Sequence, residues 1–426
     1  MQSRCFQPTF NHRTAASLFR TSAHRLSSRS TAPRNHLQSS SYVALYHSYP
    51  PGLNPVKPLK LPREHHSLLP LVHSCNNLIL SNHPWHSDTP HTVATRTAQG
   101  DLIDQETVVP FVISHDHRDY PAVGFIRPQV AAALEEDHQK HLVSGSASPW
   151  DLRYSKELPK VLKAVAFAPW VNEGGKYTRT MHMERLIYDW RKHDVFSDIL
   201  KGWSDEAYPV YTHAPQQIST NHDPIAFAIE RAALPLFGLV NFGVLLTAYV
   251  RDPSTGRIQV FIPRRSLNKR TWPGKLDVTV VGGMGLGESA MDTILHESVE
   301  EALLDHDYVK EHIQSVGGLP FPNRSPKGWI IPGMYYLYDL ELPPDGSLTP
   351  RINALDGEVE AFELLDVQNV LQNLVEGRFK PSSAMAIVDF LIRHGYLTED
   401  TDPRYLDVCR ILKTDIKLPV AWRSYP

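Results

Sequence analysis

Gly282-Gly283-Met284-Gly285-Leu286-Gly287-Glu288-Ser289, running on to Glu297-Ser298-Val299-Glu300-Glu301, is the stretch on which the fold of this chain turns. A run rich in β-branched residues ends just before it at Val281, and four glycines then fall within six residues. Glycine admits positive φ and lets backbone come close to a ligand. Ser289, with Asp292 three residues on, marks a helix start. Met291, Leu295, Ser298 and Ala302, with Ile294 beside them, recur at helical spacing and predict the buried face of a helix over 289–304. The whole reads as strand, glycine loop, helix.

Glu297, Glu300 and Glu301 stand at i, i+3 and i+4, which gathers three carboxylates on one face of that helix. From residue 276 to residue 309 the chain carries Asp277, Glu288, Asp292, Glu297, Glu300, Glu301, Asp305 and Asp307 and no Lys or Arg. Like charges at this spacing cost a helix a few tenths of a kcal/mol per pair, roughly, and no basic neighbour on the helix offsets that. A divalent cation would, and hard carboxylate oxygens suit Mg²⁺ or Mn²⁺, ions that also bind substrate phosphates. Three glutamates alone fit a solvated acidic surface equally well; the strand and glycine loop ahead of them favour the metal site.

Working outward, strands are expected over 242–250, 258–262, 276–281, 334–342 and 359–364, and helices over 366–374 and 383–394. Asp252-Pro253-Ser254-Thr255-Gly256 joins the first two strands as a hairpin. This alternation predicts an α/β fold, an α/β/α sandwich around a mixed sheet. Ahead of it, short strands at 109–113 and 123–125, a helix opening at Pro128 and a long amphipathic helix over 182–203 predict a smaller α+β module. The expected organisation is a leader over 1–63, the α+β module over 64–231, the sandwich over 232–400 and a C-terminal extension over 401–426. No catalytic constellation is visible in the α+β module.

The glycine loop and acidic helix resemble the signature of Nudix hydrolases, in which a Gly is followed after five residues by Glu, after seven more by Arg-Glu, and shortly by Glu-Glu. Gly282, Glu288, Glu297, Glu300 and Glu301 fall on the matching positions, while His296 replaces the Arg and Leu303 the usual Gly. The flanks, Ile229 to Gly238, Arg264-Arg265-Ser266, Lys269 to Asp277, Asp356 to Glu360, Phe379-Lys380-Pro381 and Asp389 to Tyr396, resemble a eukaryotic Nudix subfamily with an N-terminal domain of unknown function (DUF4743). Related modules are fused to thiamine pyrophosphokinase in some fungi; no GxxxxGK[ST] phosphate loop occurs here.

The resemblance implies a Nudix sandwich and Mg²⁺-dependent hydrolysis of a small organic diphosphate, with oxo- or oxythiamine diphosphate as the substrates of this subfamily. An 8-oxo-dGDP phosphatase or another nucleoside diphosphate hydrolase is the enzymatic alternative, and a degenerate ligand-binding scaffold the other. Glu297, Glu300 and Glu301 are the expected metal ligands, with Glu358 or one of these three as general base. Arg264, Arg265 and Lys269 are candidates to grip phosphate; surface charge is their other reading. Trp272 is a candidate to stack on a substrate ring, packing being its alternative. Gly282 and Gly283 are expected to lie against the diphosphate. Departures occur at Leu245, Thr247 and Val278, where the family carries polar groups.

The 426 residues allow more than one core. A formal charge of −3 argues against a nucleic-acid partner. Three scattered cysteines, Cys5, Cys75 and Cys409, give neither a disulfide framework nor zinc spacing. No Asp or Glu precedes Glu64, whereas Arg4, Arg13, Arg20, Arg25, Arg29, Arg34, Lys57, Lys60 and Arg63 do. That Arg-rich, Ser-rich composition predicts an organellar transit peptide, mitochondrial in the first instance and cytoplasmic location as the alternative. Residues 232–250 lack charge, but Pro235, Gly238, Asn241 and Gly243 point to a loop and buried strand rather than a membrane span.

Overall fold

A computed structural model describes residue 61 and residues 66–116, 120–213 and 223–422. The leader expected over 1–63 falls, Leu61 apart, outside the described residues.

The described residues open with helix α1 (Leu69–Cys75) and a six-stranded sheet of β1 (Leu78–Leu80), β2 (His91–Arg96), β3 (Leu102–Val112), β4 (Gly124–Ile126), β5 (Trp150–Tyr154) and β6 (Leu162–Phe167). Its order is β1-β2-β3-β6-β5, with β4 paired to β3. Helix α2 (Pro128–Val143) lies between β4 and β5, and α3 (Pro169–Glu173), α4 (Gly175–Lys192) and α5 (Ser197–Leu200) follow β6. Pro128 occupies the first helical position of α2, where its missing N–H costs nothing. The long helix expected over 182–203 starts earlier, at Gly175, and stops at Lys192. Asp194 and Phe196 both adopt left-handed φ near 55°, which breaks the helical path before α5 resumes it. Aromatic residues Phe111, Phe167, Phe227, Trp190 and Phe237 fill the core of this region. A two-stranded hairpin, β7 (Ala207–Tyr211) with β8 (Ile225–Glu230), leads by a single 3₁₀ turn (Arg231–Ala233) and α6 (Leu234–Phe237) into the next sheet.

That second sheet comprises β9 (Asn241–Arg251), β10 (Ile258–Arg265), β11 (Val280–Gly283), β12 (Gln314–Arg324), β13 (Ile330–Leu342) and β14 (Val359–Asp366). Its order is β12-β13-β9-β10-β14, and β11 pairs with β9. β13 runs parallel to β9, and the other pairings are antiparallel. The β9–β10 hairpin forms where expected: Asp252 Oδ1 accepts the N–H of Ser254 and of Thr255, both at 2.8 Å. Helices α7 (Ala290–Ala302) and α8 (His306–His312) belong to one face; α9 (Val367–Val375), α10 (Pro381–Arg393) and α11 (Tyr405–Leu412) belong to the other. The strand period of two explains the division. Along β9, Phe242, Val244, Leu246 and Ala248 pack with Ile294 and Leu295 of α7, while Leu245 and Tyr249 pack with Ile387 and Phe390 of α10. This is the mixed α/β/α sandwich the alternation predicts.

Three sequence expectations shift. The strand expected over 276–281 is shorter and later, because Asp277 turns inward to Arg265, Lys380 and Ser383, and only Val280–Gly283 joins the sheet. β12 has no counterpart among the expected strands: Pro320, Pro322 and two glycines hide an 11-residue strand from any alternation test. Met291, assigned to the buried face of α7, is 38% exposed; Thr293 takes its place.

α1, which the sequence groups with the first region, packs in the core of the second, against α10 and α11. Asp402 accepts the Leu68 N–H at 2.8 Å, and Asn76 donates to the Ile411 carbonyl at 2.8 Å. Among the described residues, no helix is long and apolar enough to cross a membrane.

Candidate active site

The glycine loop, the helix behind it and a hairpin from the α+β module meet at β11. Among the described residues β11 pairs only with β9, so its other edge is free. α7 starts as expected: Ser289 Oγ accepts the Asp292 N–H at 3.1 Å, and Glu288 reaches back to the Gly285 N–H at 3.1 Å. Ile294, Leu295 and Ala302 anchor the helix against the sheet, which turns Glu297 and Glu301 toward β11. Glu301 accepts the Val281 N–H at 2.8 Å, capping a backbone donor on the free edge. A Cβ on Gly282 would stand 2.4 Å from Glu297 Cγ, so any larger residue there displaces the Glu297 side chain. The helix ends on Leu303 in the left-handed region (φ 50°, ψ 35°), the conformation that explains why the related pattern has glycine at this point.

The carboxylates crowd one another. Burial, with Glu300 and Glu358 nearby, raises the Glu297 carboxyl to about 7. Burial and Glu297 raise Glu301 well above the usual carboxylate range. Burial works against ionisation of Glu358 too, but Lys269, in direct contact, and a hydrogen bond from Glu301 hold it low. Glu300 is exposed and lies 3.4 Å from His296. Among the described residues no three such groups already stand as a closed metal-ligand cluster. The donor set nevertheless suits a hard divalent ion: buried like charges on one helix, acceptor-only when ionised, with no cation on that helix to balance them.

The basic candidates divide differently from expectation. Arg265, gripping Asp277 at 2.8 Å, also donates to the Trp272 and Thr271 carbonyls, which makes it a structural clamp rather than a phosphate ligand. Burial opposes ionisation of Asp277, but Lys380 and Arg265 together keep its carboxyl below the usual range. Arg264 is half-exposed and paired with Glu363 at 3.1 Å, away from the glutamate helix on the edge strand β14. Lys269 reaches the site directly through Glu358, on which the Arg265 charge also acts. Trp272 is 39% exposed, held in a left-handed turn, and lines a cavity of about 440 Å³ with Arg127 and Arg324. The glutamates are not among the residues lining that cavity.

Two residues at the site, Tyr208 and Arg231, come from the α+β module expected over 64–231, where no candidates were expected. Tyr208 of β7 places its hydroxyl 1.8 Å from where a Cβ of Gly283 would lie, and the Arg231 guanidinium carbon is 3.7 Å from that point. The hairpin is tied to the glycine loop by the Leu286 N–H, which donates to the Ala207 carbonyl at 2.9 Å. No local pattern marks Tyr208 in the sequence; Arg231 lies in the Ile229 to Gly238 stretch that resembles the Nudix subfamily, which is the signal that could have singled it out.

Known proteins similar to this chain agree with the geometry. The family model described as a domain of unknown function (DUF4743) matches residues 91–241. An uncharacterized protein of Saccharomyces cerevisiae, YJR142W, is 34% identical over 230 residues, covering 52% of this chain and 64% of its own length. Nudix hydrolase 24, chloroplastic, of Arabidopsis thaliana is 36% identical over 218 residues, 50% of this chain and 55% of that protein. Nudix hydrolase 20, chloroplastic, from the same plant is 34% identical over 217 residues, 50% of this chain and 54% of that protein. The chain therefore has Nudix hydrolases among its relatives and spans less than two thirds of the length of each relative named.

Proposed function

We propose that this chain is a metal-dependent hydrolase of the phosphoanhydride bond in a small organic diphosphate. The observation that carries this reading is the convergence of Glu297, Glu301 and Glu358 on the free edge of β11 beside the Gly282-Gly283 backbone. The similarity to two Nudix hydrolases supports it.

Glu297, Glu300 and Glu301 would hold Mg²⁺ or Mn²⁺. Bound there, the ion supplies charge neutralisation and Lewis acidity toward the diphosphate. Everything else falls to the chain itself. A water attacks one phosphorus in line with the bridging oxygen; a P–O bond forms as the anhydride P–O bond breaks, and the water proton passes to a carboxylate. Glu358, ionised by its contact with Lys269, or one of the three helix glutamates accepts that proton. Gly282 and Gly283 admit the diphosphate close to the backbone.

Oxo- or oxythiamine diphosphate, cleaved to the monophosphate, is the proposed substrate. Leu245 and Val278, buried in the core where the related family carries polar groups, leave 8-oxo-dGDP and other nucleoside diphosphate derivatives as competitors. Import into an organelle, the mitochondrion first, is proposed from the acid-free leader; two relatives are named chloroplastic. A diphosphate panel assayed for phosphate and monophosphate release, with Mg²⁺ and with EDTA, tests all of this. Cleavage of oxythiamine diphosphate ahead of thiamine diphosphate and nucleoside diphosphates supports the substrate. Absence of metal-supported cleavage of any member would leave a shared shape without the chemistry.

A further inference from the structure

We propose that Tyr208 and Arg231, carried by the hairpin ahead of the catalytic segment, form a second wall of the diphosphate site and grip phosphate oxygens that the carboxylate helix does not. This rests on the diphosphatase reading and adds to it a binding role for the segment that the DUF4743 model matches.

Adjacent residues of a strand open opposite faces. Gly282 faces Glu297, and Gly283 faces Tyr208 and Arg231, so a ribbon of two residues without side chains is all that separates the two walls. Arg231 is near enough to be among the charges that act on Glu297. The Tyr208 ring is 2% exposed, and its hydroxyl has no hydrogen-bond partner among the described residues. A buried hydroxyl left unpaired is costly, and a ligand oxygen at this position would satisfy it. Arg231 lies with its guanidinium 5.5 Å from the centre of the Tyr208 ring and is half-exposed, at the mouth of the site. Its side chain donates to Glu206 at 3.0 Å through one of five available N–H groups, which leaves a planar fork free for phosphate.

The alternatives are already engaged. Arg265 is locked to Asp277, Arg264 to Glu363 and Lys269 to Glu358. A diphosphate beside Glu297 carries charge that the glutamates repel, and Arg231 is the cation positioned to receive it. Glu206 competes for the same guanidinium and so sets how readily the phosphate displaces it.

The test is calorimetric titration of the full chain with methylene bisphosphonate, a diphosphate whose bridge resists hydrolysis, at fixed Mg²⁺. Arg231→Gln is expected to weaken binding by at least about tenfold and Tyr208→Phe by about threefold to tenfold, the range for charged and neutral hydrogen bonds. Glu206→Gln, which removes the competitor, should tighten binding; a purely structural hairpin would not produce that gain. Thermal melting accompanies each variant, and Arg231→Lys, which keeps the charge and loses the fork, should bind between wild type and Gln should the Gln variant unfold. Unchanged affinity in the Arg231 and Tyr208 variants, with wild type binding normally, overturns the second wall alone. A wild-type chain that neither binds the bisphosphonate nor cleaves any diphosphate removes the parent reading and this one with it.

Discussion

In the metal-free protein at pH 8, Glu297 is an ionised carboxylate half-buried against the Gly282 backbone, with Glu300 and Glu358 repelling it. Its carboxyl is raised from 4.5 to about 7. At 1.36 kcal/mol per unit, the folded state bears about 3 kcal/mol, as an upper bound, for keeping that group charged. Below about pH 4.5 the group is protonated folded and unfolded alike, and the penalty is absent. As pH rises from there to about 7 the unfolded chain releases the proton first, so stability falls; above pH 7 the loss is complete. Glu297→Gln keeps the shape and removes the charge. Urea unfolding in EDTA should therefore show the variant more stable than wild type by about 1–3 kcal/mol at pH 8, with the two converging near pH 4.5. Adding Mg²⁺ should reverse the order, because only wild type gains the full stabilisation of a ligand that binds the native state. Parallel stability curves for the two proteins across that pH range would refute the picture of a site strained by its own charge.

Glu300→Gln and Glu301→Gln should each lower turnover at least about a hundredfold with the circular dichroism spectrum unchanged, and near-normal rates in both would remove the metal assignment. His296→Arg puts a fixed charge beside Glu300, 3.4 Å away in the native chain; activity should persist, which an initial-rate assay checks, and its loss would show that the histidine itself is needed. Arg265→Gln should destabilise the fold by about 3 kcal/mol in denaturant, through the buried Asp277 it leaves under-paired, with little change in KM. Gly282→Ala should push Glu297 aside, lowering kcat while the melting point moves only slightly, because the displaced atoms belong to a flexible side chain.

The catalytic half was legible because its signals are local. A capping pair at Ser289 and Asp292, glycines where backbone must approach carboxylates, and glutamates at i, i+3 and i+4 each follow from a handful of neighbouring residues, and the structure places Glu297 and Glu301 together at β11. What was lost is non-local. Arg265 looks like a phosphate ligand until the fold pairs it with Asp277, which Lys380 and Ser383 reach from more than a hundred residues further along the sequence. Trp272 turns toward a cavity separate from the glutamates. Tyr208 lies far from the glycine loop in sequence and carries no mark of its own. The helix expected over 182–203 failed for a different reason: its apolar spacing continues through two left-handed residues that periodicity does not register.

The first helix of the folded part closes on the last. Leu68 and Asn76 hydrogen-bond to Asp402 and Ile411, 334 and 335 positions further on. During synthesis at about 5–20 residues per second, α1 has no native place to go for roughly 15–70 seconds after it leaves the ribosome. Its apolar face, Leu69, Val72 and Cys75, must wait unburied while both sheets are made. The nascent chain thus stays unlatched until Asp402 and Ile411 have been made, and a ribosome stalled before Asp402 would hold an open molecule.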